Sequence, residues 1–150
     1  MDIREMISHR KGVFQEVEGS SPVADVLGIM SGRRVSSVVV MDPKGYPAGI
    51  FTERDLVRCH MIFPGKPLAD IRVDQVMTED VIVAEPSDNV QEAMAMMIKA
   101  GIRHLPVVRD NKVVDLLGLE DLVHSHVGAL NQELHYLKDY ITDLQDAAHD

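Results

Sequence analysis

Apolar positions along this chain follow two periods, and the same succession of periods occurs twice. Val23, Val26, Leu27 and Met30 recur at helical spacing between Pro22 and Gly32, which predicts an amphipathic helix opened by the proline and stopped by the glycine. Ser37 to Met41 is a near-continuous apolar run, too short for a helix and closed by Asp42-Pro-Lys-Gly45, so it predicts a buried strand and a turn. A second strand, Pro47 to Phe51, runs straight into a helix from Thr52 to about Met61. Ahead of these, Ile3, Met6 and Ile7 share one side of a short helix over Asp2 to Ser8, expected to lie as a flap ended by Gly12, and Val13 to Val17 reads as a strand. The order is strand, helix, strand, strand, helix.

After a connector rich in proline and glycine, Phe63 to Asp70, the pattern restarts. Val81 to Ala84 reads as a strand and Glu85-Pro-Ser-Asp88 as a turn with a helix cap. Val90, Ala93, Met94 and Met97 then repeat the earlier helical stripe, each 67 positions later. Gly101 ends this helix, and Leu105 to Val108 and Lys112 to Leu117 give two strands around the turn at Asp110-Asn111. Gly118-Leu-Glu-Asp121 starts the next helix, with Asp121 at the place of Asp55 after a one-residue deletion. Half of a 150-residue chain buries too little surface to be stable alone, so the two copies are expected to pack on each other.

Candidate chemistry gathers at the strand-to-helix junction Gly49-Ile-Phe-Thr-Glu-Arg-Asp55. Thr52 with Asp55 three residues on forms the hydroxyl-x-x-acid arrangement that caps a helix, and it leaves amides, a hydroxyl and a carboxylate facing one spot. Such a junction can simply cap itself, or it can cradle a ribose or a phosphate.

The two phased copies, the Gly-h-h-Thr-x-x-Asp ending (h apolar) and the phrase Gly101-Ile-Arg-His-Leu-Pro-Val-Val108 together resemble a tandem cystathionine-beta-synthase (CBS) domain pair of the stand-alone prokaryotic type. The resemblance implies an α/β fold in which two β-α-β-β-α repeats, here 10–70 and 71–126, pack with pseudo-twofold symmetry. It also implies two clefts for adenosine-containing ligands. AMP, ADP or ATP would act there as a regulatory ligand, with no cofactor required and no catalysis. Carried over by position, Thr52 and Asp55 would contact ribose and phosphate, Arg54 a phosphate, Ser36 and Ser37 the base, and Arg103 and His104 further phosphates. Asp121 would serve the second copy. There Asp115 replaces glycine, Gly118 replaces the hydroxyl residue and Glu120 stands where a basic residue would, so the site around Thr52 and Asp55 is expected to be the better one.

Charge and composition narrow the alternatives. A formal net charge of −9 and an aromatic content of 4% disfavour nucleic acid and anionic membrane surfaces as partners. No stretch approaches a membrane span, and one cysteine, Cys59, without a signal-like leader fits the cytoplasm. His124 and His126 stand two apart, the wrong spacing for a metal pair on a helix, and no nucleophile has a base beside it. Beyond Asp121, Val123, Val127, Leu130, Leu134, Leu137, Ile141, Leu144 and Ala148 alternate spacings of 4 and 3, which predicts an extended C-terminal helix over 127–150. That stripe either makes a parallel coiled-coil homodimer or folds back on the N-terminal helix. The functional readings are therefore a nucleotide sensor that signals to an unknown regulated protein, or through its own dimer, and an interaction module with vestigial clefts that works through the tail.

Overall fold

The computed structural model describes residues 1–8, 10 and 14–126. The expected tail helix and its coiled-coil dimer fall on 127–150, outside the described residues. A short helix α1 (Ile3–Ser8) leads into β1 (Glu16–Glu18), α2 (Val23–Arg33), β2 (Ser37–Met41), β3 (Pro47–Thr52) and α3 (Glu53–Ile62). Two 3-10 turns, Leu68–Asp70 and Val73–Gln75, form the connector. The second repeat contains α4 (Val90–Ala100), β4 (His104–Arg109), β5 (Lys112–Gly118) and a helix α5 over 119–126. Among the described residues no helix is long and apolar enough to cross a membrane.

In the first sheet β2 lies centrally, parallel to β1 (Glu16 opposite Val39) and antiparallel to β3 (Ser37 opposite Thr52). Of the strand expected over Val13 to Val17, the described part pairs with β2 from Glu16, and Val13 lies outside the described residues. In the second repeat β4 and β5 are antiparallel, joined by Asp110 and Asn111. Both residues have positive φ, 53° and 62°, as the two-residue turn of a right-twisted hairpin requires. The strand expected over Val81 to Ala84 is reduced to one parallel bridge between Ala84 and Val107. The Val81 amide turns back to the Glu79 carbonyl, which curls the segment before it reaches the sheet, and Ile82 and Val83 stay exposed. Gly32 does not stop α2. The helix runs to Arg33, and Arg34, left-handed at φ 56°, closes it by donating its amide to the Met30 and Ser31 carbonyls.

Each repeat has its own apolar core, and each core is completed by a segment from elsewhere in the chain. The first gathers Val23, Val26, Val38, Val40 and Phe51, together with Ile71, Val73 and Val76 from the connector. The second gathers Val90, Ala93, Met97, Leu105, Leu117 and Leu122, together with Ile3 and Met6 from α1. The expected flap is thus a wedge, and Ile3 is fully buried. The backbone repeats the exchange bond for bond. Val23 N–H donates to Ile71 O as Val90 N–H does to Met1 O, and Val73 N–H donates to Ser21 O as Ile3 N–H does to Asp88 O. A third, small cluster of Val39, Ile50 and Leu116 joins the two sheets.

Gly49 shows how close the exchanged segment comes. Ile50 and Thr78 exchange backbone bonds of 3.0 and 2.8 Å, which lays the connector across β3. A Cβ on Gly49 would lie 2.5 Å from the Thr78 carbonyl oxygen, so only glycine fits. At the matching place in β5 stands Asp115, which is buried and faces Arg10.

Because the cores depend on each other's segments, the chain should unfold in one step, and loss of the wedge should be felt globally. Ile3→Ala is expected to lower stability by about 2–5 kcal/mol in urea unfolding, with a single transition retained. A biphasic curve, with the first repeat unaffected, would contradict this.

Candidate functional site

Among the described residues, two clefts with charged and hydroxyl side chains lie between the repeats, and each takes its lining from both copies. One, of about 480 Å³, joins Thr52, Glu53, Arg54 and Asp55 of the first repeat to Ile102, Arg103 and His104 of the second, with Thr78 at its base. The other, of about 520 Å³, joins Val35, Ser36 and Ser37 of the first repeat to Gly118, Leu119, Glu120 and Asp121 of the second, with Arg10, Phe14 and Arg34 around it. Both are of a size that suits small molecules. The residues singled out in the sequence are therefore assorted crosswise: Ser36 and Ser37 share a cleft with Asp121, whereas Thr52 and Asp55 share one with Arg103 and His104. The wall between the clefts is common to both. Glu53, Arg103 and His104 line each of them, and the Ser36 hydroxyl and His104 Nε2 share a hydrogen bond of 2.9 Å there.

The two acids sit in different electrostatic settings. The Asp55 side chain is 3% exposed and fully engaged. Its Oδ2 accepts from the Thr52 amide at 3.0 Å and the Thr52 hydroxyl at 3.3 Å, while Oδ1 accepts from the Thr78 hydroxyl at 2.9 Å and from Arg58 Nη1 at 3.2 Å. This carboxylate caps α3 and ties the helix to the connector. Arg54, next to it, donates to the Gly101 carbonyl at 3.2 Å. Asp121 is 41% exposed. Its Oδ2 accepts from the Gly118 amide at 2.7 Å, the counterpart of the Thr52 amide, and Arg10 Nη1 lies 3.1 Å from it.

His104 is held mostly away from water. Desolvation pushes its pKa below the ordinary 6.5; Arg103 and Arg54 act in the same direction, against the opposing pull of Glu53 and Asp121. At neutral pH the ring is mostly uncharged, so the fixed positive charge lining the clefts comes from arginines. Cys59 behaves as a core residue, with burial raising its thiol pKa. Among the described residues no group of histidine, cysteine and acidic side chains could hold a metal ion.

Arg10, Phe14, Arg34 and Thr78 were not singled out by the sequence pattern. A signal for Thr78 exists at a different offset, and Arg10 lies two residues beyond its counterpart. Residues 1–8 (MDIREMIS) and 71–78 (IRVDQVMT) repeat the same apolar spacing 70 positions apart, so each copy starts with a leading segment that ends beside a cleft.

A family model described as CBS domain matches residues 14–61 and 73–128. A CBS domain-containing mitochondrial protein of Arabidopsis thaliana, CBSX3, is 33% identical over 123 residues, covering 79% of this chain and 59% of that one. This chain spans about half the length of the curated relatives it matches. Among solved structures, a crystallised CBS domain superposes with a TM-score of 0.78 at 26% identity, covering 85% of this chain and 98% of that one. A protein of Burkholderia ambifaria with CBS domains, described as a candidate signal-transduction protein, superposes at 0.77 with 29% identity, covering 85% and 95%.

Two measurements follow from this geometry. Asp55→Ala strands the Thr52 and Thr78 donors and should cost about 2–4 kcal/mol of stability, whereas Asp121→Ala, which loses one cap and one half-exposed ion pair, should cost about 1 kcal/mol. Equal costs in chemical denaturation would refute the distinction. For His104 the folded state holds its proton less tightly than the unfolded state, so its contribution to stability is complete above the ordinary value of 6.5 and is lost as pH falls below it. Melting temperature should therefore drop between about pH 7.5 and 5.5, and more steeply in the wild type than in His104→Gln. Parallel slopes would remove His104 as the cause.

Proposed function

Since this chain belongs to the CBS domain family, whose paired repeats are generally regulatory and ligand-binding, we propose that it senses an adenosine nucleotide of the AMP, ADP or ATP class, and that the Asp121 cleft is the principal site. The observation that carries this reading is the pairing of a half-exposed carboxylate with arginines across one cavity. Asp121 stands on one side, and Arg34 and Arg103 line the same cleft with the Ser36 and Ser37 hydroxyls. An ionised carboxylate can accept from both hydroxyls of a ribose, and guanidinium groups bind phosphate in a fork. Phe14, Val35, Leu116 and Leu119 supply an apolar wall for a purine.

This reading reverses the order of the two clefts expected from the motif. A capping box with a hydroxyl looks like the richer ligand site, but Asp55 already meets four donors inside the protein, and a ribose would have to displace Thr78 or Arg58 from it. The second copy lacks the hydroxyl at Gly118, and its carboxylate is correspondingly open to solvent.

A thermal-shift and calorimetric screen with AMP, ADP, ATP, NAD and S-adenosylmethionine tests the proposal. At least one adenosine ligand should raise the melting temperature, and Asp121→Ala should remove most of that rise, a loss of about tenfold or more in affinity. A full rise in Asp121→Ala would move the site elsewhere, and no response to any of the five would refute nucleotide sensing.

A further inference from the structure

Arg10 makes contacts that a simple wall residue would not. Its Nη1 lies 3.1 Å from Asp121 Oδ2 and its Nε 3.5 Å from Asp115 Oδ2, so one planar guanidinium bridges two carboxylates. The two acids are unequal. Asp115 is 1% exposed; its Oδ1 accepts from the Leu116 amide at 2.7 Å, and its Oδ2 has no hydrogen-bond donor among the described residues. A buried carboxylate with an unfilled oxygen needs a counter-ion, and Arg10 is the cation that faces it. The guanidinium is therefore anchored at its Nε side, while its Nη tip reaches into the cleft and covers Asp121, which shares that lining with the exposed acids Glu53 and Glu120.

We infer that Arg10 is a specificity-determining clasp that makes the Asp121 cleft select ligands by charge, rejecting neutral nucleosides and admitting phosphorylated ones. The inference rests on the reading of that cleft as the nucleotide site. A neutral ligand that approaches Asp121 must compete with Arg10 and offers the displaced Nη tip nothing in return, so one of the two ion pairs of Arg10 is lost without replacement. A phosphorylated ligand exchanges partners instead. Its phosphate takes the Nη tip, Asp121 is released to the ribose hydroxyls, and Nε stays on Asp115, so no charge is left unmatched. The first repeat is built differently: Gly49 stands where Asp115 does, so there is no second buried acid for a guanidinium to span, and Asp55 meets the neutral Thr78 hydroxyl and Arg58 of its own helix.

The experiment is calorimetric titration of the full chain with adenosine, ADP and inorganic pyrophosphate. It compares the wild type with Arg10→Ala/Asp115→Gly, in which the buried acid is removed together with its counter-ion, and with the size-matched neutral pair Arg10→Gln/Asp115→Asn. The wild type should prefer ADP to adenosine by about tenfold or more, and should bind pyrophosphate. In either double variant pyrophosphate binding should weaken by about tenfold or more, although Arg34 and Arg103 remain, and the ADP-to-adenosine ratio should fall to about threefold or less, with adenosine itself binding more tightly. A ratio that survives in a folded double variant overturns the clasp and leaves the nucleotide reading intact. Pyrophosphate binding that depends on Arg10, with no binding of adenosine or ADP, supports the clasp as an anion site and overturns the nucleotide reading. No heat from any of the three overturns both.

Discussion

The structure depends on one exchange: each repeat is closed by a leading segment that precedes the other repeat's core in sequence. Ile3 and Met6 fill the second core, and Ile71, Val73 and Val76 fill the first. A repeat of this size has too few apolar residues to close over its own sheet, and a segment from the other copy supplies what is missing. The exchange also sets the geometry of the clefts. Since each leading segment ends against its host's last strand, Thr78 is delivered to Asp55, and Arg10, just beyond α1, to Asp121.

The same scaffold therefore carries two clefts that differ in a few side chains. In one, glycine at 49 lets the connector pair tightly with β3, and the acid at 55 is consumed by hydroxyl, amide and guanidinium donors from its surroundings. In the other, Asp115 brings in a second buried charge, glycine at 118 removes a hydroxyl, and an arginine spans the two acids. In the first cleft Asp55 ties α3 to the connector, and in the second Arg10 is shared between Asp115 and Asp121, the arrangement on which the proposed ligand exchange rests.

The repeat, its element order and the positions of the two acids were legible in the sequence, because they are written in local periods and caps: the stripe from Val23 to Met30, its copy from Val90 to Met97, and the acids three residues into α3 and α5. Contacts between distant segments were not. Asp55 reads as open to a ligand until Thr78, 23 residues away, is placed against it, and nothing near Ser36 in sequence says that it faces Asp121. Gly32 misled for a related reason, since a glycine near a helix end suggests a stop, whereas Arg34 took the left-handed position and closed the helix with its own amide. The strand read over Val81 to Ala84 has the right composition, but only Ala84 reaches the sheet.

The full burial of Ile3 also has a consequence for the chain as it is made. Ile3 and Met6 have their partners in α4, β4, β5 and α5, which are synthesised later, so this segment must wait, unpaired and apolar, until the second repeat has been made. The first repeat can acquire Ile71 and Val73 shortly after its own helix α3 is made, and is complete first. Closure of the second repeat is then a return of Ile3 and Met6 to partners about ninety residues later, a long-range loop closure of the kind that slows folding and places a late step of assembly beside the Asp121 cleft.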